Sequence, residues 1–187
     1  MVQLPESSED SSYSSIADIG KERIRRVIAR MQEVEKSGQL SLDLRHDEDL
    51  GFKVFKLAPS TFRQWEPPEG EKDRALEEQL ALFDRGVEEG ADPHDVIYEV
   101  ILKLGYSLNA RIEPLDVESN RVYRVTDEEG PGTSEPAHFY ICLDDQLRGE
   151  TIDALRLDKE TTFVCPDTAL DDSQKVNLAM GCLLKVI

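Results

Sequence analysis

The chain has 187 residues, 39% apolar and 33% charged, with a net charge of −17. That length suits one domain with a sizeable core, since a chain of this size buries about 70% of its unfolded surface. The charge disfavours a surface that itself grips nucleic acid, because such affinity comes from neutralising phosphates, and no apolar run approaches the roughly 20 residues of a membrane span.

Residues 1–15 are rich in Ser and acids, with neither a basic n-region nor an apolar h-region. They do not form a secretory signal, so a cytoplasmic location is expected. Residues 1–14 lack periodicity and are expected to be disordered. From Ser15 to about Lys36, Ile16, Ile19, Ile24, Val27, Ile28, Met31 and Val34 recur at helical spacing. Ser37-Gly38 ends that helix. Its arginines Arg23, Arg26 and Arg30 lie off the apolar stripe that carries Ile24, Val27 and Met31. Residues 21–36 carry a local charge of +3 in a chain that is otherwise acidic. An acidic body with one basic helix suits docking to a protein surface better than gripping a duplex.

Residues 15–48 thus read as a helical arm and an acidic linker, and residues 49–187 as an α/β domain. Phe52, Val54 and Leu57 alternate with Lys53 and Lys56, the period of a half-buried strand. Pro59 and Pro67-Pro68 bound a loop that holds Phe62, Arg63 and Trp65. Aromatics beside a cation can stack a base, but more often such a turn packs onto the core; with the apolar and basic faces of residues 16–36, Phe62, Arg63 and Trp65 are the residues expected at an interface. A second helix is expected over about Lys72–Glu89, with Gly90 as its stop. The third has the clearest punctuation: Asp92 as N-cap, Pro93 in the first turn, Gly105 at the end. Val96, Ile97, Val100, Ile101 and Leu104 make its buried face.

Short strands follow at Ala110–Leu115 and Arg121–Thr126, then a Gly- and Pro-rich loop over residues 128–136. The last fifty residues alternate. Phe139–Leu143, Thr162–Cys165 and Leu183–Ile187 read as strands, and Glu150–Leu157 and Asp172–Met180 as helices. Crossovers of this length argue for a largely parallel sheet of the doubly wound kind with flanking helices.

Asp144-Asp145 follow one expected strand and Asp167 follows the next. Ligands favour that edge of an open parallel sheet, and converging carboxylates can hold magnesium. The commoner role is capping, which Asp171-Asp172 would fill before the last helix. The cysteines Cys142, Cys165 and Cys182 sit in apolar contexts and are expected to be buried small hydrophobes. His46, His94 and His138 are scattered and lack partners at ligand spacing. No Gly-x-Ser-x-Gly and no Gly-rich phosphate loop occurs.

The segment Asp49-Leu-Gly-Phe-Lys-Val-Phe-Lys-Leu57, followed by Trp65, resembles the region after the catalytic core of type III restriction–modification adenine methyltransferases. Ile19–Arg26 resembles the helix that ends the catalytic region of that family, and Asp95–Gly105, Ser107–Ile112, Phe139–Asp145, Phe163–Asp167 and Asp172–Ile187 resemble its later parts in the same order. The resemblance implies a parent that transfers a methyl group from S-adenosylmethionine to adenine N6. It also implies a dimer of modification subunits and a restriction subunit as partner. The cofactor loop and the Asp/Asn-Pro-Pro-aromatic tetrad of that family do not occur in this chain; Glu66-Pro-Pro-Glu69 lacks the acid or amide and the aromatic. The expectation is therefore a non-catalytic assembly or recognition domain with no cofactor of its own. It would meet other domains or copies of the methyltransferase and touch DNA only indirectly. Pairing with a second copy is one way to cover the stripe of residues 16–36. Two other classes stay open: a free-standing acidic regulator or DNA mimic, and a small metal-dependent enzyme using Asp144, Asp145 and Asp167.

Overall fold

The computed structural model describes residues 4, 6–8, 12–36, 50–64, 86–128, 130–131 and 135–187. The chain divides into two compact units, Met1–Phe55 and Lys56–Ile187.

The first unit holds one long helix, α1 (Ile16–Lys36). It starts where the sequence punctuates it. The Ser15 hydroxyl accepts from the Asp18 N–H at 3.2 Å, which satisfies one of the open donors of the first turn. Asp18 in turn accepts from the hydroxyls of Ser14 and Ser15 and pairs with Lys21. Lys21 first, then the two hydroxyls, hold its carboxyl well below the usual range. Within the segment expected to lack order, Ser7 forms an antiparallel bridge with Ser15, and Glu6 accepts from the Ile16 N–H at 3.1 Å.

The second unit is an α/β fold around a mixed sheet of five strands. Its first helix is α2 (Pro93–Leu104). The Asp92 carboxylate accepts from the His94 N–H at 2.8 Å, and Pro93 supplies a preset φ at the first position. Gly105 closes α2 at φ 81°, a left-handed conformation that favours glycine. The strands are β1 (Arg111–Val117), β2 (Asn120–Asp127), β3 (Ala137–Cys142), β4 (Thr162–Cys165) and β5 (Leu183–Val186). Helices α3 (Gly149–Leu155) and α4 (Asp172–Gly181) connect the last three. A capping box between Asp171 and Gln174 opens α4, as the acidic pair there suggested.

Strand order follows chain order, β1-β2-β3-β4-β5. The first three strands run antiparallel; β3, β4 and β5 run parallel. Successive right-handed crossovers in one direction put both helices on one face. Packing agrees: Ile152, Leu155 and Leu178 meet Val122, Cys142, Phe163 and Cys165. On the other face Ile97, Val100 and Ile101 of α2 meet Val125, Phe139, Ile141 and Val164. Three layers result. The parallel part differs from the doubly wound arrangement, because its order runs on without a reversal and makes no switch point among β3, β4 and β5.

One local expectation is not met, and a second is covered by the described residues only at its end. Among the described residues no strand is assigned over Phe52–Leu57: residues 51–60 carry no ladder there, and Val54 and Leu57 are 54% and 105% exposed. The expected helix over Lys72–Glu89 lies outside the described residues up to position 85. At its end, Gly86–Glu88 is not helical; Val87 bridges Phe62 instead. Gly86 fits there because a Cβ would stand 2.5 Å from the carbonyl carbon of Ile187. Among the described residues, no helix is long and apolar enough to cross a membrane.

Candidate functional site

Three places collect the residues that the sequence singled out. The first is α1. Residues 23, 26 and 30 fall at i, i+3 and i+7, and so do residues 24, 27 and 31, which gives two adjoining rows along one helix. Both rows face solvent: Ile24, Val27 and Met31 are 40%, 58% and 43% exposed, and Arg23, Arg26 and Arg30 are exposed beside them. Arg26 donates to Glu22 at 2.9 Å and to the Tyr13 hydroxyl at 3.3 Å. Surface pairs of this kind hold a side chain in place and contribute little stability.

The second is the segment Ser60–Arg63, a clasp on α2. Glu99 accepts from the Ser60 hydroxyl at 2.6 Å, and from both the N–H and the hydroxyl of Thr61 at 2.8 Å. Glu99 also pairs with Lys103 at 3.1 Å. The Lys103 ammonium stands 3.3 Å over the centre of the Phe62 ring, whose body packs on the core cluster. Burial works to raise the Glu99 pKa; the donors of Ser60, Thr61 and Lys103 outweigh it and hold the value at about 2. Two backbone hydrogen bonds complete the clasp, Arg63 N–H to Gly86 and Glu88 N–H to Thr61. Arg63 turns inward and its side chain is only 16% exposed. Phe62 and Arg63 thus serve packing in this unit; Trp65 lies outside the described residues. Glu99 was not legible as a site residue, because its partners Ser60 and Thr61 lie 39 and 38 positions earlier.

The third is the carboxyl edge of β3, β4 and β5. Asp144 accepts from the Asn120 side-chain amide at 2.7 Å and from the Arg121 N–H at 3.1 Å. Asn120 is buried and fully used. Its amide also donates to the Gln146 carbonyl, and its oxygen accepts from the Thr151 hydroxyl at 2.8 Å and the Arg148 N–H at 3.2 Å. A buried polar group pays for its desolvation only when satisfied in this way. Asp167 pairs with Lys175 at 2.8 Å. Neither aspartate caps a helix as expected: the N-cap of α3 is Arg148, without a side-chain bond, and Pro166 precedes the short turn Asp167–Ala169. Position accounts for this: Asp144 stands four residues before the N-cap Arg148, and Asp167 lies inside its short turn, after the N-cap Pro166.

Asp145 and Thr168 line a cavity of about 640 Å³ at this edge, with Val96, Leu143, Pro166 and Ile187 supplying apolar wall. Asp144 and Asn120 line a second of about 710 Å³, which shares Pro93 and Leu143 with the first. Among the described residues, no three His, Cys, Asp or Glu form a group that could hold a metal ion. Burial pushes the Cys142 thiol up to about 11 and Cys165 up to about 12, so neither is a nucleophile at neutral pH. All three cysteines are buried, as their apolar contexts suggested. His94 and His138 make edge contacts with Tyr123 and Tyr140, at 5.9 and 5.6 Å between ring centres. His46 lies outside the described residues. Comparison of the chain with protein-family models, curated proteins and solved structures gave no match.

Proposed function

We propose that this chain is a non-catalytic assembly domain of an adenine-N6 DNA methyltransferase of the type III restriction–modification kind. It engages other copies or domains of the methyltransferase, or the restriction subunit, through α1. One observation carries the reading: the apolar row Ile24, Val27 and Met31 is exposed along α1, with the arginine row beside it. An apolar row edged by cations fits a groove rimmed by carboxylates, and the arginines set orientation and encounter rate more than affinity. The ordered resemblance of Asp49–Trp65, Asp95–Gly105 and Phe139–Ile187 to the family supports the choice of parent. The parent's S-adenosylmethionine chemistry belongs to segments that this chain does not contain.

The test is pull-down and light scattering of the full chain with the modification and restriction subunits. Val27→Asp and Arg30→Glu should each abolish or strongly weaken one association while circular dichroism stays unchanged. Association that is indifferent to both substitutions, or no association with either subunit, would sink the reading. The net charge of −17 favours a second reading, an acidic regulator that occupies a DNA-binding surface. Competition of the pull-down by duplex DNA, with no effect of Val27→Asp, would decide for it.

A further inference from the structure

The strand β2 carries an arginine that the fold leaves open. Arg124 lies between Val122 and Thr126 on the sheet face that, further along, carries Cys142 and Phe163. Register places Glu113 of β1 and Tyr140 of β3 directly across from Arg124, and Arg111 and His138 directly across from Thr126. Directly opposed side chains of a sheet stand about 5 Å apart at Cβ. Three donors thus share a few ångströms of one face: the Arg124 guanidinium, the Thr126 hydroxyl and the His138 ring.

Two polar atoms there are buried without a hydrogen-bond partner, Arg124 Nε and Thr126 Oγ1. Buried polar atoms are rarely left so, and these sit two positions apart on one strand face. Nearby carboxylates are already committed. Glu113, which faces Arg124, pairs with Arg111 at 3.4 Å instead. Asp158, close enough to act on His138, accepts from the Thr161 hydroxyl at 2.6 Å and from the N–H groups of Thr161 and Glu160. Arg124, Thr126, His138 and Tyr140 are each half-buried, so parts of the face meet solvent while these two atoms are covered.

We propose that Arg124, Thr126 and His138 form a binding site for a small oxyanion, the phosphate or carboxylate group of a small molecule. A planar guanidinium presents paired N–H donors that match two oxygens of such a group, and a neighbouring hydroxyl takes a third contact. The overall charge of −17 works against a long polyanion here and leaves a compact anion as the fitting ligand.

The experiment is a heteronuclear NMR titration of the full chain with inorganic phosphate and, separately, with acetate, at constant ionic strength held with chloride. The Arg124 Nε–Hε signal and the amides of Thr126 and His138 should shift together and saturate. Tighter phosphate binding assigns a phosphate ligand and tighter acetate binding a carboxylate; both support the site. Arg124→Met keeps the aliphatic stem and should remove saturation, and Thr126→Val should weaken binding about tenfold, the usual worth of one charged hydrogen bond. If Arg124→Met fails to fold, Thr126→Val decides alone. No saturable shift up to about 50 mM of either anion, well beyond the affinity expected of a charged pocket, overturns the proposal. So does a response that both variants retain in full.

Discussion

Helices α1 and α2 carry the same kind of sequence signal and meet opposite environments. Each is amphipathic, and each opens with a side-chain oxygen that accepts from the first turn. In α2, Val96, Ile97 and Ile101 are 2%, 0% and 0% exposed. In α1, Val27 is 58% exposed and Met31 43%. An apolar stripe therefore states that a surface is to be covered, and says nothing about what covers it. The stripe of α2 finds a sheet in its own chain. The stripe of α1 is the surface that the assembly reading relies on.

The largest expected effect tests the covered half of this comparison. Ile101 is fully buried in the cluster of Val125, Phe139 and Ile141. Ile101→Ala removes its contacts and leaves a cavity, at a cost of about 3–4 kcal/mol. A clear fall in the denaturant midpoint at unchanged slope is the expected readout. A loss below about 1 kcal/mol would mean that α2 does not hold the sheet, since the site would then have collapsed at no cost.

The clasp on α2 comes next. Glu99 has a folded pKa of about 2 against an ordinary value of 4.5. A lowered pKa means that the ionised form is favoured by folding, so its contribution is complete above about pH 4.5 and fades as pH falls toward 2. Glu99→Gln should cost about 2 kcal/mol at neutral pH, a charge-assisted cluster being worth more than neutral hydrogen bonds. The variant should also flatten the stability profile between those two pH values. A parallel acid limb in wild type and variant, measured by urea denaturation, would remove Glu99 from the account. Asp92→Ala is smaller, at about 1 kcal/mol for a lost N-cap, read as a shift in the same denaturation curve.

Much of the second unit was legible. The cap, proline and glycine of α2, the hairpin strands β1 and β2 and the closing alternation from Phe139 onward all fell where local chemistry placed them. These are signals a few residues long. Failures came where the deciding partner is distant in sequence. Phe52–Leu57 has a strand's alternation, yet no strand is assigned there among the described residues. Asp144 sits where a cap is expected and is taken by Asn120, 24 positions earlier. Glu99 and Arg124 were not singled out: beyond its helical neighbour Lys103, one is held by donors nearly forty residues away, and the other is set by an acid that pairs with a different arginine.

The smallest expected effect is the most discriminating, because it tests the exposed half. Val27→Ala on α1 should change stability by less than about 0.5 kcal/mol in dilute solution, as exposed substitutions do, against the several kcal/mol of Ile101→Ala. The two positions belong to the same class of residue on the same kind of helix, so the contrast isolates the covering surface. If a second copy covers the stripe, the effect must grow with protein concentration, since association stabilises only the species that binds. Denaturation of both variants across a hundredfold range of concentration reads this directly. A concentration-independent loss as large as that of Ile101→Ala would place Val27 in a permanent core and end the contrast between the helices. A loss that rises with concentration would make α1 an interface between copies.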